Sequence, residues 1–355
     1  MLDTLEIQIH KTPKSRLQEI DFDNLIFGRT FSDHMFTADY QDHNWQNLLI
    51  QPYSSLSLSP ALMALHYGQS IFEGMKAYRT VENEIVLFRP HENWKRMNVS
   101  AERMCMAQLP EEVFIGGLQN LVALDKDWVP NRPNYSLYLR PFMFASDEYI
   151  GVKPSDTYKF VIFTCPVGAY YSGAIKVKVE QHYVRAAAGG TGFAKAAGNY
   201  AASLYPAKLA QDEGYQQIIW TDAKEHRYVE ESGTMNLIFV INGKVVTPPT
   251  DDKILHGITR KSVLELAQDW GMTVEERYIS MEEILDALQS NQLQEAFGVG
   301  TAAVVTPIET IGYLQKDYQL PTFNEDCFGF KAKKYLTDLC KGLVEDKFDW
   351  IFKVA

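Results

Sequence analysis

The chain has 355 residues, 46% hydrophobic and 22% charged, the balance of a soluble globular protein with room for about two domains. Its formal net charge of −11 argues against nucleic acid or an anionic membrane as the main partner. No stretch approaches the ~18 apolar residues of a membrane span, and the mixed acids and bases of residues 1–24 do not make a signal peptide.

Residues 1–25 read as a leader arm that packs on the body, and a first domain starts at Phe27-Gly28-Arg29-Thr30-Phe31. Residues 75–78 and 84–88, separated by the turn-like 80–83, read as a hairpin. After Arg89-Pro90, Trp94, Met97, Ala101 and Met104 recur at three- and four-residue steps and predict a helix. A second helix is expected over 111–124, with Val113, Leu118 and Leu121 inward. Residues 136–139 and 158–163 read as strands, and in the first of these Tyr138 and Arg140 share a face. The first domain is expected to cover 1–168, a linker 169–174, and a second domain 175–355.

The second domain opens on the alternating strand 175–179. The strands 236–241 and 244–246 flank Asn242-Gly243, a two-residue hairpin turn. A helix is expected from Gly257-Ile258-Thr259-Arg260, with Gly271 as its C-terminal cap. Ser280-Met281-Glu282-Glu283 matches a capping box before another helix. Residues 294–297 read as a strand leading into the turn 298–302, and 328–340 as a terminal helix. Elements alternate without a βαβ glycine fingerprint, so the expected fold is two mixed α+β domains with a cleft between them. The four cysteines, Cys105, Cys165, Cys327 and Cys340, form no C-x-x-C pair and are expected to be free thiols in a reducing, cytoplasmic compartment. No His/Cys cluster has metal-ligand spacing, so no metal is expected.

The stretch 187–203, AAGGTGFAKAAGNYAAS, carries a single charged residue, Lys195. Small neighbours let the backbone approach a flat ligand closely. A lysine kept dry loses hydration of its charged form, which lowers its pKa, and a neutral amine forms a Schiff base with an aldehyde such as that of pyridoxal phosphate. Taken alone, the stretch also reads as a flexible Gly/Ala loop with a solvated lysine. Pyridoxal phosphate further demands a carboxylate for its pyridine nitrogen, a donor for its ring hydroxyl and anion sites for its phosphate. Tyr200 offers a hydroxyl five residues after the lysine, and Glu230-Glu231 offers acids just before an apolar strand, unless both are solvated loop acids. The helix start at Gly257-Ile258-Thr259, together with Thr301 and Arg89, offers anion sites. The aromatics and glycines of 66–75 suit either a core or a substrate pocket.

Seven motifs occur in order: HYGQSIFEGMKAY (66–78), LFRP (87–90), LYLRP (137–141), GGTGFAKAAGNY (189–200), EESGTMN (230–236), LHGITR (255–260) and FGVGTA (297–302). Together they closely resemble the branched-chain amino acid aminotransferases, pyridoxal-phosphate enzymes of fold type IV. The resemblance runs from about Phe27 to the last helix.

It implies two mixed α/β domains of the D-amino acid aminotransferase-like architecture, a cofactor at the domain interface, and a homodimer. By motif match, Lys195 is the Schiff-base lysine, Glu231 the partner of the pyridine nitrogen, and Tyr200 the contact of the ring hydroxyl. Arg89, the N–H groups of Ile258 and Thr259, and Thr301 hold the phosphate, and Leu255 packs against the ring. Phe27, Tyr67, Phe72, Tyr138, Arg140, Tyr170, Thr234 and Ala302 match positions that shape the substrate pocket. The chain departs from the family at Ala303 and Thr306, where some members carry a redox C-x-x-C, and at His256, where the phosphate loop has proline.

The implied reaction is transamination of leucine, isoleucine or valine with 2-oxoglutarate. The rival readings are another fold type IV enzyme, such as a D-amino acid transaminase or an aminodeoxychorismate lyase, and a silent binding protein of the same fold.

Overall fold

The computed structural model describes residues 6–168, 173–302 and 304–354. Two compact units make up the chain: residues 6–168, Ala194–Gly198 and 338–354 form the first, and residues 173–193 and Asn199–Thr337 the second.

The first unit contains β1 (Gln8–Ile9), β2 (His34–Gln41), β3 (Asn44–Pro52), α1 (Met63–Tyr67), β4 (Ser70–Phe72), β5 (Met75–Arg79) and β6 (Ile85–Phe88). These are followed by α2 (Pro90–Arg103), α3 (Glu111–Leu124), β7 (Ser136–Ala145) and β8 (Tyr158–Val167). Helices α2 and α3 form where the three- and four-residue periodicity predicts them. Met97 and Ala101 of α2 and Val113, Leu118 and Leu121 of α3 are fully buried in one core with Phe36, Leu87, Leu139 and Phe160. The 75–88 hairpin forms as expected. A second hairpin, β2–β3, turns on Asp42 and His43, both at positive φ. The leader arm docks through β1, parallel to β3, and through Arg16, whose N–H donates to Asp33 Oδ1 at 2.9 Å.

The second unit contains β9 (Ile175–Val179), β10 (Gln217–Thr221), β11 (Val229–Ser232), β12 (Met235–Ile241), β13 (Lys244–Thr247), β14 (Val274–Glu276), β15 (Leu293–Gly300), β16 (Val304–Tyr313) and β17 (Lys316–Gln319). Its helices are α4 (Ala197–Asp212), which starts within the Ala194–Gly198 segment, α5 (Ile258–Asp269), α6 (Met281–Gln289) and α7 (Phe328–Cys340), whose last residues from Asp338 on are counted with the first unit. Six strands close on themselves in the order β11-β10-β9-β16-β15-β12, with β12 pairing back onto β11. The closing seam is two residue pairs long, Glu231 with Asn236 and Ser232 with Met235. Val177, Ile219, Leu237, Phe239 and Ile311 pack in one core with Met281 and Ile284 of α6. Ser280 caps α6 by accepting from Glu283 N–H at 3.1 Å, and Gly271 takes the positive φ of a helix terminator after α5. The strand expected over 294–297 continues to Gly300, because Gly298, Val299 and Gly300 pair with Thr306, Val305 and Val304.

The last strand, β18 (Ile351–Lys353), returns to the first unit and pairs antiparallel with β6. The sheet of that unit runs β1-β3-β2-β8-β7-β5-β6-β18, with β4 on β7. No helix among the described residues is long and apolar enough to cross a membrane.

Candidate active site

Lys195 is held by its own main chain. Ala194 and Ala196 on either side are buried in the core of the first unit. The Lys195 carbonyl accepts from Phe72 N–H at 3.1 Å, Ala196 bridges Ile71, and Lys195 N–H donates to Ser100 Oγ at 2.9 Å. The lysine therefore sits between β4 and α2 with its backbone fixed and its side chain half-buried. Its Nζ lies 4.9 Å from the Phe72 ring centroid.

Behind this segment lies a buried ion pair. Glu73 is fully buried, and Arg96 grips it twice, Nε to Oε1 at 2.7 Å and Nη2 to Oε2 at 2.8 Å. Asn93 Nδ2 adds a third bond at 2.7 Å. Burial alone would push the Glu73 carboxyl up, but the Arg96 charge and hydrogen bonds, with the Lys195 charge, outweigh it and hold the group below its ordinary range.

The same unit assembles an aromatic group around Arg140. Its guanidinium lies over the Phe72 ring at 4.7 Å and the Tyr138 ring at 5.4 Å, and Nη2 donates to Tyr138 Oη at 2.9 Å. Phe27 meets Tyr138 edge-on at 5.2 Å. Arg140 Nε is buried and makes no hydrogen bond among the described residues. Gly74 is needed beside this group, since a Cβ there would run into the Tyr138 hydroxyl. Phe27, Phe72, Tyr138, Arg140 and Lys195 are thus brought together. Tyr67 is at the end of α1 and donates to the Ile150 carbonyl. Arg89 is the N-cap residue of α2, in the left-handed region at φ 48°. Tyr170 lies outside the described residues.

The second unit is organised around Glu231, which is 5% exposed on β11. Oε1 accepts from Asn236 Nδ2 at 2.8 Å and from Leu255 N–H at 2.9 Å, and Arg185 Nη2 stands 2.7 Å from Oε2. Three N–H donors, one of them cationic, suit a carboxylate rather than a carboxylic acid. The neighbouring Glu230 is also buried, yet neither of its oxygens has a hydrogen-bond partner among the described residues. Burial pushes it up to about 7, against the pull of Lys253 and Arg185.

Gly257 leads into α5 and has no side chain with which to cap its first N–H groups, those of Ile258 and Thr259. A Cβ at Gly257 would collide with Asn236 Oδ1. Asn236 thus ties the Glu231 carboxylate to the start of α5, since its Nδ2 also donates to the Leu255 carbonyl at 2.9 Å. Thr234 occupies the turn between β11 and β12, and Thr301 and Ala302 the turn after β15. Tyr200 is on the first turn of α4, next to Asn199, which exchanges two 2.7 Å hydrogen bonds with Thr191.

Sequence reasoning singles out neither Arg185, Glu73, Arg96 nor Ser100. Arg185 is one isolated arginine before the Gly/Ala tract, and only the fold brings it to Glu231.

The profile of the family described as amino-transferase class IV matches residues 70–311. The chain belongs to the class IV aminotransferases. This aminotransferase is 44% identical, over 99% of its own length and 97% of the relative's, to the Bacillus subtilis protein named branched-chain-amino-acid aminotransferase 2. Among solved structures it resembles the Escherichia coli branched-chain amino acid aminotransferase, with a TM-score of 0.75, 27% identity, and 91% and 99% of the two chains covered. A Thermobaculum terrenum branched-chain amino acid aminotransferase, solved in its PLP form, shares the fold at a TM-score of 0.71 and 19% identity, over 91% and 98% of the chains.

Proposed function

We propose that this aminotransferase exchanges the amino group of leucine, isoleucine or valine with 2-oxoglutarate, giving a branched 2-oxo acid and L-glutamate, with pyridoxal 5′-phosphate as cofactor. The observation that carries the reading is the Glu231 carboxylate, buried and held by Arg185, Asn236 and the Leu255 N–H. A buried acid so fixed suits a cationic ring nitrogen.

The donor set fits that cofactor. Lys195 supplies an amine on a rigid backbone, Tyr200 a hydroxyl, and Arg89, Ile258, Thr259 and Thr301 supply donors for a dianionic phosphate. When bound, the cofactor supplies the electron sink that makes the substrate Cα acidic. Lys195 Nζ is the base that takes the Cα proton and returns it on the other side of the exchange. Phe27, Phe72 and Tyr138 offer apolar walls to a branched side chain. Arg140, whose guanidinium rests on two rings and donates to Tyr138, offers the charge that suits the γ-carboxylate of 2-oxoglutarate. Thr234 and Ala302 are assigned to the substrate and Leu255 to the ring. A homodimer and a cytoplasmic location belong to the same reading.

The test is a steady-state panel of L-leucine, L-isoleucine, L-valine and D-alanine against 2-oxoglutarate, paired with borohydride reduction in the presence of pyridoxal 5′-phosphate. Turnover of the branched L-substrates and a phosphopyridoxyl mass on the Lys195 peptide are expected. Activity with D-alanine alone, or an unlabelled Lys195 peptide, would overturn the reading.

A further inference from the structure

The C-terminal segment of the first unit is built against Arg89. Arg89 N–H donates to the Trp350 carbonyl at 2.8 Å, and its guanidinium carbon lies 5.0 Å from the Trp350 ring centroid. Trp350 is buried, stacked on Phe348 at 4.4 Å and set edge-on to Phe88 at 5.7 Å. Asp346 fixes the backbone there, its Oδ1 accepting from Trp350 N–H at 3.0 Å and its Oδ2 from Ile351 N–H at 2.7 Å. Strand β18 then pairs Ile351 with Phe88. Arg89 itself has φ 48° and ψ 47°, a conformation a non-glycine residue holds only when its surroundings over-determine it. Pro90 biases the residue before it toward extended backbone, and the bond to the Trp350 carbonyl fixes the Arg89 N–H against that bias.

We infer that Trp350 is a positioning residue for Arg89, so that the segment 346–353 is a working part of the cofactor's phosphate site. The inference rests on the reading of Arg89 as a phosphate ligand. A guanidinium presents all its N–H donors in its plane, so the cation–π contact with the Trp350 ring holds the ion without spending a donor. The side chain is then ordered before any anion arrives, and less freedom is lost on binding.

Phosphate dependence separates this role from general stability. Dissociation constants of the apoprotein for pyridoxal 5′-phosphate and for pyridoxal, which lacks the phosphate, are measured by absorbance for four variants, with unfolding curves for each. Arg89→Ala is expected to weaken the phosphorylated ligand roughly 100-fold and to leave pyridoxal within twofold. Trp350→Leu, which keeps apolar volume and loses the π face, is expected to weaken the phosphorylated ligand about tenfold with pyridoxal again within twofold. Trp350→Phe is expected to restore most of the difference. Should Trp350→Leu fail to fold, Asp346→Asn loosens the same segment with the indole intact and is expected to show the same selectivity. Equal losses for both ligands, or none, with Arg89→Ala behaving as stated, overturn the role of Trp350 alone. An unchanged ratio in Arg89→Ala itself overturns the phosphate assignment, and the inference with it.

Discussion

Arg185 Nη2 stands 2.7 Å from Glu231 Oε2, and both side chains are more than nine-tenths buried. The same guanidinium nitrogen donates to the carbonyls of Gly192, at 3.1 Å, and Lys253. Arg185 thus anchors the carboxylate to the loop before Lys195 and to the loop before α5 at once.

Removing that anchor takes the Arg185 cation away from the Glu231 carboxylate. Arg185→Ala is expected to lower kcat/KM by roughly 10- to 100-fold. Arg185→Lys is expected to recover only part of this, because the lysine Nζ ends one bond short of the Nη2 position that meets the carboxylate and both carbonyls. Steady-state kinetics with L-leucine, alongside far-UV circular dichroism, checks it. An Arg185→Ala enzyme with wild-type kinetics would show that the pair contributes only structure.

Gly74 and Tyr138 make a second, steric test. Gly74→Ala places a methyl against the Tyr138 hydroxyl, which must move and carry its bond to Arg140 with it. KM for 2-oxoglutarate is expected to rise about tenfold, more than KM for leucine. Adding Tyr138→Phe removes the colliding oxygen and is expected to recover part of the leucine activity. Equal effects of Gly74→Ala on both substrates would count against Arg140 as the carboxylate-selective group.

The Glu73–Arg96 pair predicts stability. Glu73→Gln leaves the Arg96 charge buried without its counter-charge, at a cost of about 3–5 kcal/mol. The double variant Glu73→Gln/Arg96→Met is expected to lose less than the two single changes summed, since no lone charge remains. Denaturant unfolding of the four proteins measures the coupling, and strict additivity would refute it.

Glu230 predicts a pH dependence. Its folded-state pKa of about 7 lies above the ordinary 4.5, so the folded protein binds more protons than the unfolded chain between those values. Its contribution is fully present below pH ~4.5 and is lost as pH rises through about 7. Glu230→Gln removes the titration, and at pH 8 it is expected to be more stable than wild type by up to about 3 kcal/mol. Melting curves at pH 6 and pH 8 decide it: the advantage should shrink at the lower pH, and a constant difference would rule the titration out.

Much of the fold is legible because it is local. The periodicity of Met97 and Ala101, the capping box at Ser280 and the Asn242-Gly243 turn each predict an element the structure contains. Asp42-His43 makes the same kind of hairpin turn without a glycine, so β2–β3 carries no comparable turn signal. The pairing of Tyr138 with Arg140 follows from strand alternation alone. What surrounds Lys195 does not, since Ser100, Glu73 and Arg96 reach it only after β4, α2 and the lysine segment have packed. Leu255 is a further case: a hydrophobic side chain is what the sequence displays, while its main-chain N–H holds Glu231.

The two-pair seam between β11 and β12 ties assembly to chemistry. Joining those strands is the same event that sets Asn236 opposite Glu231, so a ring left open lacks part of the grip on its acid. Slippage by one residue would turn Glu231 to the opposite side of the sheet and bring Glu230 to its place. Fidelity of strand registration in this unit is therefore also fidelity in choosing which of two adjacent glutamates becomes the working one.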